Sequence, residues 1–474
     1  MTEAKDAPET APPAALQAAA PSSGKPELGL PLTKRMVLSL LALAGAVVLT
    51  ALYLSTSKPG ASKMPPPLAS ALLGTATAGQ QAGSPPPEAA AAPRMAMARA
   101  DELLAAATTT SAPTDARLLR IYGLIATSQA RQALDEAAQL AADFPNFGLA
   151  QLVYADLLST HSSPTEGFGA VNMPLRSEAT ERLRELVAEA RARVGGASQR
   201  PPVGTVPAQF VRLDPSVRHA VAVDVSKSRL YLLENTPAGP VVIRDYYSSV
   251  GKLGMAKQVE GDLRTPLGVY FVTGRIADAR LRDPSLDDRY GAAALALNYP
   301  NQYDQMKGRT GSGIWLHGVS TALFSRAPLA TDGCVALTNP DLLEVTRYIE
   351  RQETPVLIVE QIDWVAPASA LERQAGFMRT FDAWKEARGR ADTESALKFY
   401  ATDLNRKRGN SSSGMSPGAA AIDGVSVLTW KDDRDIVVVT FTESATGSTR
   451  PRLKRQYWLE QSGKWQVVFE GSLG

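Results

Sequence analysis

The apolar residues of this chain change their spacing twice, and those changes divide it before any motif is considered. From Met95 to about residue 200 they recur at three and four, the period of an amphipathic helix. From His219 they fall into short β-branched runs. These are Ala220-Val221-Ala222-Val223-Asp224-Val225, Arg229-Leu230-Tyr231-Leu232-Leu233, Val241-Val242-Ile243 on to Val250, Gly268 to Val272, and Pro355 to Val359. Turn residues such as Ser226-Lys227-Ser228 separate them, so the spacing predicts a mainly-β domain over 217–362. A helix from Pro340 to Arg351 is expected before its last strand. After Trp364 the helical period returns, with Phe377, Phe381 and Trp384 on one face and a second helix from Thr393 to Leu404. Four strands then close the chain: Val425–Trp430, Asp435–Thr442, Lys454–Glu460 and Trp465–Glu470.

Length agrees with this division, since 474 residues allow about three domains at ~150 residues each. In the helical region, 95–200, Ala116-Arg117-Leu118-Leu119 recurs 34 residues later as Ala150-Gln151-Leu152-Val153. That period resembles a tetratricopeptide-type (TPR-like) helix pair, and an ordinary helical hairpin fits equally well. A third helix is expected over Ser177 to Val194. Pro201-Pro202-Val203-Gly204 ends the helical part. The α+β pattern of 368–474 resembles a nuclear-transport-factor-2-like (NTF2-like) domain.

Ahead of these lies a stretch too poor in large apolar residues to fold alone. Residues 1–35 and 55–94 are rich in Ala, Pro, Gly and Ser, which predicts a disordered tail and a flexible linker. Between them Met36 to Leu54 runs 19 residues without a charge, about the length needed to cross a ~30 Å hydrocarbon layer. A cleaved signal peptide is the competing reading. Its apolar region is usually ~7–15 residues, and Leu54-Ser55-Thr56-Ser57-Lys58 is a poor cleavage site. A transmembrane helix with a cytoplasmic N-terminus follows, because Lys25, Lys34 and Arg35 outweigh Lys58 and Lys63.

Composition narrows the chemistry. Fifty Lys and Arg balance 48 Asp and Glu, so no global basic surface points to nucleic acid. One cysteine excludes an internal disulfide framework and a cysteine-rich metal site. No phosphate-cradling glycine loop or metal-ligand cluster is present, so no cofactor and no metal are expected.

That one cysteine, Cys334, stands in Thr331-Asp332-Gly333-Cys334-Val335-Ala336, and His317 precedes it by 17 residues in Ile314-Trp315-Leu316-His317-Gly318. A thiol with pKa ~8.5 needs a base to become a nucleophile at neutral pH, and an imidazole of pKa ~6.5 is suited to that task. A small buried hydrophobe and a satisfied core histidine are the bland alternatives. Upstream come Gly261-Asp262-Leu263-Arg264-Thr265-Pro266-Leu267-Gly268-Val269-Tyr270, then Tyr290-Gly291 and Leu297-Asn298-Tyr299-Pro300. In this order the pieces resemble the L,D-transpeptidase (YkuD-type) catalytic domain of bacterial cell-wall enzymes, over His219 to Val359.

The resemblance implies a β-sandwich and a cysteine acyl-enzyme acting on peptidoglycan stem peptides. Cys334 would attack, His317 would be the base, and the Gly318 carbonyl would orient the imidazole. Gly333, Thr331, Asp332, Arg264 and Tyr290 are candidates for orienting groups or for contacts to substrate or oxyanion. Asn339-Pro340 is read as a helix start, and that helix end would favour the thiolate. The whole is then a multi-domain protein of the bacterial inner membrane, single-pass, with its catalytic part in the periplasm. Its helical and C-terminal domains would offer surfaces for protein partners.

Two positions depart from the family's Ser-His-Gly-Cys-x-Arg. Asp332 stands where a histidine is usual, and Ala336 where an arginine is. Asp332 is read as orienting His317. Arg264, Arg289, Lys307 and Arg309 are candidates to hold the substrate carboxylate in place of the missing arginine. His161 and His219 are read as bystanders. Three activities fit: transfer to an amine, with cross-linking or attachment of proteins to the wall; hydrolysis by an L,D-carboxypeptidase, as in cell-shape-determining trimming enzymes, or by a related enzyme releasing wall-attached protein; and a non-catalytic scaffold.

Overall fold

Strands buried on both faces read as unbroken apolar runs, and that is how the central strands of this protein read. In His219–Asp224, Val221 and Val223 face one core while Ala220 and Ala222 face another. Pro355–Val359 divides the same way, with Val356 and Ile358 against Leu357 and Val359. The computed structural model describes residues 91–109, 112–159, 177–276, 288–350, 353–402, 418–446 and 450–473. The tail, Met36 to Leu54, nearly all of the linker and His161 lie outside them. Among the described residues no helix is long and apolar enough to cross a membrane.

The central domain holds an eight-stranded sheet. From edge to edge it runs Val335–Ala336, Trp315–His317, Ala294–Leu297, Gly268–Arg275, Pro355–Val359, His219–Asp224, Arg229–Thr236 and Gly239–Tyr247. Two neighbour pairs are parallel, Val335–Ala336 with Trp315–His317 and Pro355–Val359 with His219–Asp224. The sheet bends into a sandwich. One core unites Val221, Leu230 and Tyr270 with Leu316 and Val335 from the far edge, and with Leu342 and Val345 of the helix Asn339–Val345. That helix is shorter than expected: it ends at Val345, and turns follow.

The expected strand through Val250 ends at Tyr247, where the Ser248 amide donates to the Ser228 carbonyl at 2.9 Å. The break hands Val250–Gly251 to a different partner, the parallel strand Leu329–Thr331 that leads to Cys334. A second departure lies in the stretch read as a break after the helices. Phe210–Arg212 pairs with Ala420–Lys431 and becomes the fifth strand of the C-terminal sheet. Phe210, Tyr231, Phe271, Tyr303, Leu357, Trp430 and Tyr457 therefore share one core between the two sheets. The opposite face of the C-terminal sheet is covered by Phe377, Phe381 and Trp384 of the helix Ala375–Gly389. The following helix, expected to reach Leu404, ends at Leu397.

The helical region meets the sandwich through charge. Asp115, on the helix Pro113–Ala126, accepts from Arg229 of the sheet at 2.7 Å and also pairs with Arg193 of the helix Ser177–Ser198. Arg229 pairs in turn with Asp245, and Arg193 with Glu189 at 2.8 Å. All five side chains are buried. Burial alone would push the Asp115 carboxyl up, but Arg193 and Arg229 outweigh it and hold the pKa below the usual range. Arg193 also lies over the Tyr247 ring, 4.1 Å from its centroid.

Candidate active site

Cys334 and His317 are placed on one face because two short strands run parallel. Val335 lies opposite Leu316 and Ala336 opposite His317, which places Cys334 beside Trp315. Side chains alternate along a strand, so Trp315 and His317 share one face of the ribbon with Cys334 and Ala336. The Trp315 amide donates to the Cys334 sulfur at 3.4 Å, and the thiol donates to the Gly313 carbonyl at 3.3 Å. Both side chains are enclosed: Cys334 is 9% exposed and His317 is 2%.

The imidazole has a defined tautomer. His317 Nδ1 sits 2.5 Å from the Gly318 carbonyl oxygen, which can only accept, so Nδ1 carries the proton. Nε2 is left as a base. Burial pushes the His317 pKa down to about 4; the Gly318 bond opposes that shift and the Arg326 charge adds to it. Burial also pushes the Cys334 thiol up to about 11, against the Trp315 amide, which lowers it. At neutral pH the pair is therefore thiol and imidazole, not thiolate and imidazolium. Burial of the sulfur is the largest influence on the thiol. The helix start differs from that expected. Thr338 is the cap, accepting from the Asp341 amide at 3.2 Å.

Asn339 is freed for another task. Its Oδ1 accepts from the amides of Ala292 (3.0 Å) and Val319 (3.1 Å), while Nδ2 donates to the Val319 carbonyl (2.8 Å). It staples the turn after Tyr290 to the turn after His317. A Cβ on Gly318 would come within 2.0 Å of the Asn339 oxygen, so the staple needs glycine there.

The nucleophile turn is tied by Thr331. Its hydroxyl donates to the Cys334 carbonyl at 2.7 Å and accepts from the Gly333 amide at 3.1 Å. Gly333 has φ of +126°, and a Cβ there would lie 2.8 Å from the Arg264 carbonyl. The close approach is thus to the chain's own backbone. Gly333→Ala should cost about 1–3 kcal/mol of stability and displace the thiol. Turnover should fall on the order of 10²-fold, with a lowered melting midpoint. Wild-type stability and rate together would refute this.

The remaining candidates separate. Tyr290 lies in the site, its ring edge-on to His317 at 5.0 Å between centroids and 4.7 Å from Trp315. Arg264 contributes its backbone, while its guanidinium donates to the Met255 carbonyl at 3.1 Å. Asp332 does not orient His317. Its carboxylate is 61% exposed and bonded to Lys252 at 2.9 Å, and that bond holds its pKa low. Lys307 and Arg309 also lie elsewhere: Lys307 pairs with Asp433 at 2.9 Å and Arg309 with Asp432 at 2.6 Å, both in the turn joining Ala420–Lys431 to Asp435–Ala445, and Arg309 pairs with Asp304 at 2.9 Å as well. His219 packs edge-on against Tyr348. Two residues in or around the site carry no motif signal, Asn339 and Arg326.

In chemical terms, a neutral base beside a neutral thiol transfers a proton only as the sulfur attacks. Residues 218–358 match the YkuD family, the L,D-transpeptidase catalytic domain. No curated protein sequence matches the chain. Among solved structures, Bd1075 of Bdellovibrio bacteriovorus aligns at 23% identity and a TM-score of 0.47, over 56% of this chain and 98% of that one. The helical cell shape determining protein Pgp2 of Campylobacter jejuni aligns at 22% identity and a TM-score of 0.43, over 53% of this chain and 91% of that one.

Proposed function

With residues 218–358 matching the L,D-transpeptidase catalytic domain family, we propose that the chain transfers acyl groups of peptidoglycan stem peptides through a thioester on Cys334. The observation that carries this is the Gly318 carbonyl at His317 Nδ1, which leaves Nε2 as a proton acceptor on the face of the thiol. Cys334 attacks the amide carbonyl that follows the L-centre of the diamino acid. The C–S bond forms, the C–N bond breaks, and the thiol proton passes through Nε2 to the departing D-amino acid. An amine of a second peptide then attacks the thioester, gives its proton to Nε2, and the sulfur takes it back on leaving.

Water in place of the amine turns the same site into a carboxypeptidase. We assign Met36 to Leu54 the role of a single membrane anchor, with the domain on the cell-wall side. The full-length chain incubated with tetrapeptide muropeptides tests the reading by mass. A cross-linked dimer is the result expected, loss of the terminal D-amino acid alone means trimming, and no change in either mass overturns both.

A further inference from the structure

We propose that Arg326 binds the terminal carboxylate of the peptide substrate, one residue beyond the scissile amide, in place of the arginine absent at position 336. This rests on the function proposed above. Position 336 itself has no such capacity. Ala336 is buried, and its backbone is held by Ser249, whose carbonyl and amide pair with it at 2.8 and 2.9 Å. Arg326 comes from the stretch between the strands of His317 and Cys334. One of its nitrogens donates to the Arg289 carbonyl at 2.8 Å. Arg289 adjoins Tyr290, whose ring touches His317 and Trp315, and the Trp315 amide meets the Cys334 sulfur. The Arg326 charge thus lies within electrostatic reach of both reacting side chains.

The other cations around the thiol are engaged. Lys252 holds Asp332, Lys257 holds Asp262 at 2.8 Å, and Arg264 is turned to the Met255 carbonyl. Arg326 is half-buried and forms no ion pair with a carboxylate among the described residues. A cation partly withdrawn from water, whose strongest opposing charge Asp332 acts on it without a direct ion pair, can take an anionic ligand, and a planar guanidinium matches a carboxylate with two parallel hydrogen bonds. Its charge already reaches the site, where it lowers the pKa of both His317 and Cys334.

The backbone that presents Arg326 is clamped from two sides. Phe324 inserts between helices, 4.4 Å from the Phe147 ring and 5.1 Å from Phe144, and its amide donates to the Asn146 carbonyl at 3.1 Å. The Ser325 hydroxyl donates to buried Glu189 at 2.6 Å. From the sheet, the Tyr247 hydroxyl donates to the Arg326 carbonyl at 2.8 Å and the Ser249 hydroxyl to the Ala327 carbonyl at 2.6 Å. The helical region therefore fixes the loop that carries the anion site, and little ordering is left to oppose binding.

Binding to the full-length Cys334→Ser chain tests this without turnover, using one stem-type tetrapeptide as free acid and as terminal carboxamide. The acid should bind roughly 10- to 100-fold more tightly, as expected for a charge-assisted pair. Arg326→Gln in the same background should bind both equally weakly, and Arg326→Lys should fall between. Equal binding of acid and amide by the Arg326 protein overturns the proposal, as does an acid preference that survives Arg326→Gln. If the native chain leaves both peptides intact while the acid preference still depends on Arg326, the proposed function falls and the anion site stands. If peptides are consumed with KM unchanged by Arg326→Gln, the anion site falls alone.

Discussion

Alkylation of Cys334 by iodoacetamide should rise about tenfold per pH unit from pH 6 to pH 10, with no plateau near neutrality. The thiol is pushed up to about 11 by burial, so about one sulfur in 10⁴ is ionised at pH 7. A preformed thiolate–imidazolium pair would instead give fast, flat labelling across that range, and such a curve would sink the neutral-pair assignment. Peptide turnover should follow the base. His317→Gln should lower it by about 10²–10⁴-fold, because the proton loses its acceptor. In the native chain the acid limb of kcat/KM should fall near pH 4, since His317 is pushed down to about 4 by burial.

Stability follows the same shifts with opposite signs at the two ends. Between about pH 6.5 and 4 the unfolded chain binds a proton at His317 that the folded chain refuses, so stability is lost as pH falls through that window. Between about pH 9 and 11 the folded chain keeps the Cys334 proton that the unfolded chain releases. Stability there is lost as pH rises.

Asp115→Ala should be the most damaging change outside the site. It leaves Arg193 and Arg229 in a buried space with one carboxylate fewer between them, Glu189 and Asp245 being the partners that remain. Removing one partner of a buried ion pair costs about 3–5 kcal/mol, far more than the pair contributes relative to an apolar replacement. Replacing the cluster together, with Asp115→Leu and Arg229→Met, should recover much of the loss. Denaturant unfolding of the full-length chain measures both. A loss below about 1 kcal/mol for Asp115→Ala would mean that water or another carboxylate replaces Asp115. Because Glu189 of this network holds Ser325, the single substitution should also slow turnover through the loop that carries Arg326.

The strands of the sandwich were legible as runs because burial on both faces removes polar alternation. The thiol and the histidine were legible because the chain contains so few of either. Their roles in the turn were partly legible too: Gly318 and Thr331 act through backbone atoms within three residues of themselves. Asp332 misled because proximity in sequence says nothing about direction. It stands two residues before the thiol, yet its side chain points outward to Lys252. Lys307 and Arg309 misled for the same reason, since each is turned to a carboxylate more than 120 residues away.

Local spacing by itself determined the β-rich centre, the flanking helical segments and the candidate thiol–imidazole pair, because periodicity and short motifs are properties of neighbours. Tertiary structure decided the rest. It buried the sulfur and the ring, and so drove their pKa values further apart than their separate chemistry sets them. It joined Phe210–Arg212 to a sheet more than 200 residues later. It also brought the charge of Arg326 within electrostatic reach of the thiol, on a loop held by a helix 136 residues upstream. Those outcomes depend on which distant surfaces exclude water together, and no local pattern carries that information.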